Sequence, residues 1–373
     1  MNDARATRLA ETLVSYSCAL KPGEKVLIEA IDAPTSFVNE LVRVAAAAGA
    51  EPLVSLKSQA VLRQLLLDAT ESQLKLMAEA ETTLMSQVAA YIGVRGGDNV
   101  AELSDVPPEK MRLYESIVFR RVHLDLRIKR TRWVILRWPS ASMAQLAGTS
   151  TERFADFFFR VCALDYARMS RALEPLRDLM QQTDRVQLKA PGTDLSFSIK
   201  GIPAIPCDGH FNLPDGEVFT APVKDSINGT IQYNAASIYR GVLHENVRFR
   251  FEAGKIVEAE SSNPRHLLEV LDTDEGARYI GEFAIGFNPH ITEPIKDILF
   301  DEKIAGSIHL TPGNSYDEAG NGNKSQVHWD LVLMMSPEKG GGEIWFDDRL
   351  IRKDGLFVLP ELAGLNPEHL AAP

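Results

Sequence analysis

The chain contains few cysteines and no long apolar segment. Its three cysteines, Cys18, Cys162 and Cys207, are widely spaced, and an odd number in that arrangement fits neither a disulfide framework nor a zinc knuckle. No apolar run approaches the roughly 18 to 20 residues that a transmembrane helix requires. The amino-terminal segment mixes polar and apolar residues and lacks the continuous apolar centre of a signal peptide. We therefore expect a cytoplasmic protein without a membrane partner.

The chain also lacks an excess of basic residues, because 40 Lys and Arg oppose 51 Asp and Glu, which gives a net charge of -11. A nucleic-acid surface needs the opposite balance, so we expect no nucleic-acid partner. The one basic cluster, residues 119–132, is interpreted first as a solvated helix face or an oligomer contact, and second as a small patch for an anionic substrate or nucleic acid. Neither a P-loop nor a dinucleotide-binding glycine fingerprint is present.

The composition and the hydrophobic pattern predict two domains. Hydrophobic residues make up 45% and charged residues 24%, as is typical of globular proteins, and 373 residues are enough for two cores. In the first half, short apolar strands alternate with helical segments, which predicts a doubly wound, mainly parallel sheet. After Asp184 the period-two alternation predicts a strand-rich α+β domain. The prediction is an N-terminal α/β domain over 1–184 and a C-terminal metal-binding catalytic domain over 185–373.

A histidine and an aspartate two residues apart stand near the C-terminus. The segment S-Q-V-H-W-D-L-V-L-M-M (325–335) is predicted to form a strand, so His328 and Asp330 project from one face while Trp329 points into the packing. The pair is interpreted either as a rigid two-ligand platform for a divalent metal or as a His–Asp hydrogen bond at a domain surface.

Another histidine and a tyrosine precede this pair. His309 ends a second predicted strand, I-A-G-S-I-H-L, immediately before the T-P-G turn. It is interpreted either as a residue that faces a cleft or as a capped core histidine. Tyr316 lies in the following loop, where its phenol is either a hydrogen-bond donor to a carbonyl oxygen or oxyanion, or a packing residue.

Two glutamates occupy unusual settings upstream. Glu217 follows a P-D-G turn and opens an apolar strand, and Glu282 is the one charge in Y-I-G-E-F-A-I-G-F. Burying such a carboxylate is costly without a partner, and either a bridging metal or an ion pair with Arg278 would supply one. Two histidines with three carboxylates suit Zn, Mn, Co or Mg. Paired ions lie about 3.5 to 4 Å apart and share a carboxylate and a water.

These segments, in this order, resemble the aminopeptidase T family, which includes aminopeptidase S and PepS-like metallopeptidases. The resemblance spans essentially the whole chain and is carried by N-L-P-D-G-E-V-F-T-A-P (212–222), G-E-F-A-I-G (281–286), D-E-K-I-A-G-S-I-H (301–309) and N-K-S-Q-V-H-W-D (323–330). It implies a co-catalytic exopeptidase with an N-terminal α/β domain, a C-terminal catalytic domain and a homodimeric assembly.

The resemblance also implies the roles of individual residues. By motif position the metal ligands are Glu217, Glu282, His309, His328 and Asp330. Tyr316 is then the catalytic phenol, Glu217 counts as a catalytic residue as well as a ligand, and Glu282 is the expected shared carboxylate. We predict a metalloaminopeptidase that hydrolyses the N-terminal bond of small peptides with a water bridging two divalent ions, Zn, Co, Mn or Mg.

The chain departs from the family's sequence pattern at two places, both near the expected entrance to the substrate-binding site. The family usually reads H-x-A-L-G after the first histidine, whereas this chain has H-L-T-P-G, and the loop from His309 to His328 is shorter than in typical members. These departures leave the substrate open. Glu302 and Lys303 match a family motif but receive no role.

A second function stays open, because the fold also resembles that of 2,5-dihydroxypyridine dioxygenases. Those enzymes use a single non-haem Fe(II) held by two histidines and one aspartate, for which His309, His328 and Asp330 would serve. Such an enzyme would not need both glutamates, so the presence of Glu217 and Glu282 favours hydrolysis. A non-catalytic relative is the third alternative.

Overall fold

A computed structural model describes residues 3–371, which divide into two compact units. The first unit runs to Ala163 and includes Gly209–Pro214, and the second comprises Leu164–Asp208 and everything from Asp215 onward. The sequence-based boundary near Asp184 differs by one helix, Tyr166–Gln182, which the contacts assign to the second unit. The helix is tied there because the Tyr166 hydroxyl accepts a hydrogen bond from the Asp215 amide and the Gln181 side chain accepts one from the Ala204 amide.

The first unit is built on a five-stranded sheet in which every pairing is parallel. Across the sheet the strands are Glu51–Lys57, Lys25–Ile31, Ala90–Arg95, Arg132–Arg137 and Asn212–Leu213. The helices are Ala4–Glu11, Thr35–Ala47, Gln59–Leu67, Glu71–Met85, Pro108–Tyr114, Ile128–Arg130, Ala141–Leu146 and Thr151–Cys162, with π-helical segments at Thr12–Ser17 and Glu115–Arg127. The strands Lys25–Ile31 and Ala90–Arg95 are mostly apolar and buried, as is typical of parallel strands covered on both faces. The predicted α/β architecture is confirmed.

The second unit is rich in strands, as predicted, and these strands pair antiparallel. Its larger sheet has eight strands in the order Lys255–Glu260, Arg248–Glu252, Asn228–Gln232, Thr193–Ser198, Arg185–Ala190, Glu343–Phe346, Arg349–Lys353 and Leu356–Phe357. A separate hairpin pairs Ser237–Tyr239 with Val242–His244. The remaining helical segments are Tyr166–Gln182, Pro264–Leu271, Glu275–Arg278, Ile298–Asp301, Asp317–Ala319, Pro337–Lys339, Pro360–Leu365 and Pro367–Leu370.

A five-stranded sheet in this unit carries the chemically reactive residues, and we call it the site sheet. Its order is Leu331–Met334, Ser307–Pro312, Ile280–Gly286, Glu217–Thr220 and Ile205–Cys207, all antiparallel. One face is apolar and packs on the eight-stranded sheet, where the Phe283 and Phe197 rings meet edge to face at 5.0 Å and the Tyr233 hydroxyl donates to the Leu310 carbonyl. The other face is therefore left for polar side chains.

A buried arginine ties the site sheet to the larger sheet. The Arg352 side chain donates at 2.9 Å to three carbonyl oxygens, those of Gly286, Ser307 and Gly355. Gly286 and Ser307 lie directly opposite each other on two adjacent strands of the site sheet, Ile280–Gly286 and Ser307–Pro312. Because the guanidinium is planar and presents several donors in fixed directions, one side chain holds both strands in place.

Among residues 3–371, none of the helices combines the length and the apolar character needed to cross a lipid bilayer.

Candidate metal centre

Strand register brings three of the predicted residues onto one face of the site sheet. Glu217 lies opposite Gly286, which is on the same face of its strand as Glu282, and His309 lies opposite Ala284 between them. Each of these strands is buried along its whole length. Glu217, Glu282 and His309 therefore converge in a protein interior where polar groups need partners.

His328 and Asp330 join them from the neighbouring chain segment. As predicted, they project together, and the His328 Nε2 atom lies 3.3 Å from Asp330 Oδ1, while Trp329 is buried on the other side. The regular strand is shorter than predicted and begins only at Leu331, and His328 forms an isolated bridge with Gly313. The Thr311 hydroxyl donates to Asp330 Oδ1 at 2.6 Å and fixes that carboxylate.

A close approach of two backbones orients His328. Its Nδ1 lies 2.9 Å from the Asn314 carbonyl oxygen, which can only accept, so Nδ1 carries the proton and Nε2 faces the carboxylates. The Asn314 loop reaches this position because residue 281 is glycine. A Cβ atom at Gly281 would lie 2.3 Å from the Asn314 oxygen.

Glu282 occupies the centre of the group. Its Oε1 lies 3.3 Å from His309 Nε2, and its Oε2 lies 3.3 Å from His328 Nε2. Ligand-type atoms of Glu217, Glu282 and His309 lie within 4.8 Å of one another, and so do those of Glu282, His328 and Asp330. Glu282 is the member common to both groups, so its two oxygens point to two adjoining positions.

Among the buried polar atoms that lack a hydrogen-bond partner in the described part of the chain, two belong to adjoining residues of this group. They are Glu217 Oε2 and His309 Nδ1, which face each other across 3.6 Å. Buried polar groups are almost always satisfied, and an orphaned pair of this kind calls for a missing partner. A carboxylate oxygen and an imidazole nitrogen are both ordinary ligands of divalent metals, so these residues fit a metal ion.

The charges of the group affect one another strongly. Burial acts to lower the pKa of His309, but Glu217 and Glu282 outweigh it and raise that pKa to about 10. Burial acts to raise the pKa of Glu282, yet hydrogen bonds with His309 and His328 outweigh it and lower that pKa. The carboxylates thus favour positive charge on the neighbouring imidazoles. Without a metal that charge comes from bound protons, which metal binding would displace.

The structure adds a cluster that the sequence did not predict. Lys303 is almost wholly buried, and its Nζ lies 2.7 Å from Glu217 Oε1, 2.5 Å from Glu302 Oε1 and 3.5 Å from Asp215 Oδ1. The sequence interpretation gave Glu302 and Lys303 no role. The one available signal was the resemblance of this segment to the family motif, which by itself gave no position in space.

Tyr316 lies at the open side of the site. Its side chain is 46% exposed, and its ring centroid is 4.8 Å from that of His328 and 5.7 Å from that of Phe219. Tyr316 directly precedes the short helix Asp317–Ala319. The predicted phenol is thus next to one of the predicted histidines.

Two details of the sequence interpretation are wrong. Arg278 does not pair with Glu282, because its guanidinium binds Asp272 at 2.7 Å. His309 does not end its strand, because Ser307–Pro312 continues for three further residues. Pro312 is tolerated there as the last residue of the strand, opposite an irregularity in the register at Gly281.

Another carboxylate–histidine group lies in the first unit. Glu29, Glu81 and His123 also place ligand-type atoms within 4.8 Å of one another. There, however, the Lys57 ammonium lies 2.9 Å from Glu29 and 2.8 Å from Glu81. A side-chain cation already occupies the position between the carboxylates, so the group in the second unit is the better candidate for a metal.

The chain was compared with known proteins. The profile of a family described as thermophilic metalloprotease (M29) matches residues 2–342. Aminopeptidase T from Thermus thermophilus is 28% identical over 382 residues, covering 87% of this chain and 91% of that protein. Aminopeptidase T from Thermus aquaticus is 26% identical over 385 residues, with the same two coverages.

Two solved structures share the fold along nearly the whole chain. The wild-type AmpT from Thermus thermophilus superposes with a TM-score of 0.79 at 24% identity, covering 95% of this chain and 99% of that one. A 2,5-dihydroxypyridine dioxygenase from Pseudomonas putida KT2440 superposes with a TM-score of 0.64 at 14% identity, covering 97% and 99%. At these identities the structural likeness speaks for the fold alone.

Proposed function

This chain belongs to the thermophilic metalloprotease (M29) family and is a metalloaminopeptidase, and we propose that it works with two divalent metal ions. The proposed ligands are Glu217, Glu282, His309, His328 and Asp330, with Glu282 shared between the ions. The observation that carries the proposal is the central position of Glu282, whose two oxygens each lie 3.3 Å from a different histidine. Membership of this family is compatible with Zn, Co, Mn or Mg as the metal.

The charge of the site supports two ions rather than one. The group contains the five carboxylates of Asp215, Glu217, Glu282, Glu302 and Asp330, against the single ammonium of Lys303. With neutral imidazoles, four negative charges remain. Two divalent ions balance that charge, whereas one would leave a buried excess of two charges, which is costly in a protein interior.

The protein residues divide the work of peptide hydrolysis. Bound divalent ions would supply an activated water at neutral pH and polarise the scissile carbonyl. His328 is held in one tautomer by the Asn314 carbonyl, and Asp330 is held by Thr311, so both present fixed ligand atoms. Lys303 holds one oxygen of Glu217 and leaves the other directed at His309. Tyr316, on the exposed side, donates its phenolic hydrogen to the oxyanion that develops on the substrate carbonyl.

The dioxygenase alternative is not favoured. It is supported by a likeness of fold at 14% identity, and a triad of His309, His328 and Asp330 would leave Glu217 and Glu282 buried without their proposed partners. The substrate is proposed to be a small peptide with a free N-terminus. The homodimer and the cytoplasmic location remain predictions from the family resemblance and the composition.

Metal loading tests the proposal. Chelator-treated protein is expected to lose hydrolysis of aminoacyl p-nitroanilides, and reloading with Zn, Co or Mn is expected to restore it at two ions per chain by elemental analysis. A single iron per chain, with O₂ uptake on a dihydroxylated pyridine and no peptide hydrolysis, would establish the dioxygenase instead. Retention of full activity after complete metal removal would contradict any metal-dependent function.

Removal of the Tyr316 hydroxyl separates catalysis from binding. Tyr316→Phe is expected to lower kcat by about 100-fold with little change in KM, because the phenol acts mainly in the transition state. Steady-state kinetics on one aminoacyl substrate measures both constants. Tyr279→Phe, in the same unit, is the matched control and should retain activity. A rise in KM as large as the fall in kcat would show that Tyr316 positions the substrate.

A further inference from the structure

One carboxylate of the site is outside the proposed ligand set. Glu302 directly follows the helix Ile298–Asp301, and its carboxylate has a ligand-type atom within 4.8 Å of those of His309 and Asp330. Its side chain is 14% exposed, compared with 5% for Glu217 and for Glu282. A carboxylate with access to solvent, directly beside a metal centre, is placed to meet the substrate.

Lys303 fixes Glu302 without neutralising its surroundings. The Lys303 ammonium contacts Glu302 Oε1 at 2.5 Å, but it also contacts Glu217 and Asp215. One positive charge is shared among three carboxylates, so Lys303 holds Glu302 in place without being committed to it alone.

An aminopeptidase acts on peptides with a free N-terminal amine, and a carboxylate is the strongest side-chain acceptor for the ammonium form of that amine. Glu217, Glu282 and Asp330 are assigned to the metal ions, and their charge is used there. Asp215 is wholly buried, and its Oδ1 accepts from the Gly216 amide and faces Lys303. Within this group of carboxylates, Glu302 is the one that is both accessible and outside the ligand set.

We propose that Glu302, oriented by Lys303, binds the N-terminal ammonium group of the peptide substrate. The inference rests on the proposed two-metal function, because the ions assign the other carboxylates. It makes Glu302 a specificity-determining residue: it would distinguish a peptide with a free amine from a blocked one. A charge-assisted hydrogen bond of this kind corresponds to about 10- to 100-fold in affinity.

A pair of metal-chelating ligands that differ only in the amine tests this role. Leucine hydroxamic acid and its des-amino counterpart would be titrated calorimetrically into the metal-loaded wild type, Glu302→Gln and Glu293→Gln. The wild type should prefer the amine by about 10- to 100-fold, and Glu302→Gln should bind both ligands within about twofold of each other. Glu293 forms an exposed ion pair with Lys339, so Glu293→Gln removes the same charge outside the site and should keep the preference.

The metal content of each variant gives the second measurement. Glu302→Gln should retain the wild-type number of ions, and Glu302→Asp, which keeps the charge, should recover part of the preference for the amine. Loss of one ion in Glu302→Gln would identify Glu302 as a ligand and overturn the inference. Retention of the full preference in that variant would overturn it as well.

The measurements distinguish a failure of the proposed aminopeptidase function from a failure of the proposed role of Glu302. If the wild type hydrolyses no aminoacyl substrate, the aminopeptidase function fails, while the two hydroxamates still report whether Glu302 binds an amine. If the wild type hydrolyses such substrates but binds the two hydroxamates equally, the function stands and the role of Glu302 is wrong. Thermal unfolding of Glu302→Gln, compared with that of Glu302→Asp, would identify a folding defect.

Discussion

Replacing Glu282 by Gln is expected to lower turnover by more than about 100-fold. This loss is larger than the one usually seen when a residue that only hydrogen-bonds to a metal ligand is removed. The reason lies in the geometry of Glu282, since Oε1 and Oε2 each lie 3.3 Å from a different histidine. The amide keeps the size of the side chain but removes the charge and turns one acceptor into a donor. That donor would point at a proposed ion. Elemental analysis should show fewer than two ions per chain, and kinetics should show the loss in kcat/KM.

The control for this prediction removes an equal charge elsewhere in the same unit. Glu258 is exposed and paired with Arg250, so Glu258→Gln should leave both the metal content and the turnover unchanged. If Glu282→Gln binds two ions and hydrolyses peptides at the wild-type rate, Glu282 is not a shared ligand. The histidines would then need another carboxylate to join them.

Replacing Arg352 by Met is expected to cause the largest loss of stability among the changes considered. The substitution keeps an apolar stem of comparable length but removes all three donors to the carbonyls of Gly286, Ser307 and Gly355. A buried acceptor left without its donor costs about 1 to 3 kcal/mol. We therefore expect the free energy of unfolding to fall by at least about 3 kcal/mol. Urea denaturation of metal-free protein measures this without the contribution of bound ions.

A neighbouring arginine gives the matched control for Arg352. Arg349 lies on the same strand but pairs with Glu361 at the exposed surface. Arg349→Met should change the free energy of unfolding by about 1 kcal/mol or less, as is usual for a surface ion pair. Equal unfolding midpoints and slopes for the two variants would show that the buried arginine contributes no more than the exposed one.

The sequence predicted the parts of the molecule that local pattern controls. The parallel α/β sheet and the strand-rich second unit follow from alternation and spacing, and both are confirmed, as are the family and the metalloaminopeptidase activity. The opposite directions of Trp329 and its two polar neighbours also follow from the period of an extended chain. That periodicity holds even where the ladder is reduced to a single bridge.

The parts that depend on tertiary packing were not predicted. Three carboxylates surround the buried Lys303, and two of them, Asp215 and Glu217, are distant from it in the sequence, so no local pattern reveals the cluster. The strand continues past His309 because Thr311 and Pro312 pair with Glu282 and Ile280 on the next strand. This pairing overrides the turn that T-P-G predicts. The assignment of Tyr166–Gln182 to the second unit likewise depends on contacts distant in sequence. The ligand set itself stays a prediction.

The uneven burial of the candidate ligands bears on how fast each ion would exchange with solution. Glu217 and His309 are almost inaccessible, whereas the His328 side chain is 24% exposed and that of Asp330 is 11% exposed. With the proposed ligand set, an ion held by His328 and Asp330 would lie near solvent, while one held by Glu217 and His309 would be enclosed by buried strands. Dialysis against a second metal should therefore replace the outer ion first. The protein would then yield a hybrid with two different metals in defined positions, in which each ion can be followed by its own spectrum.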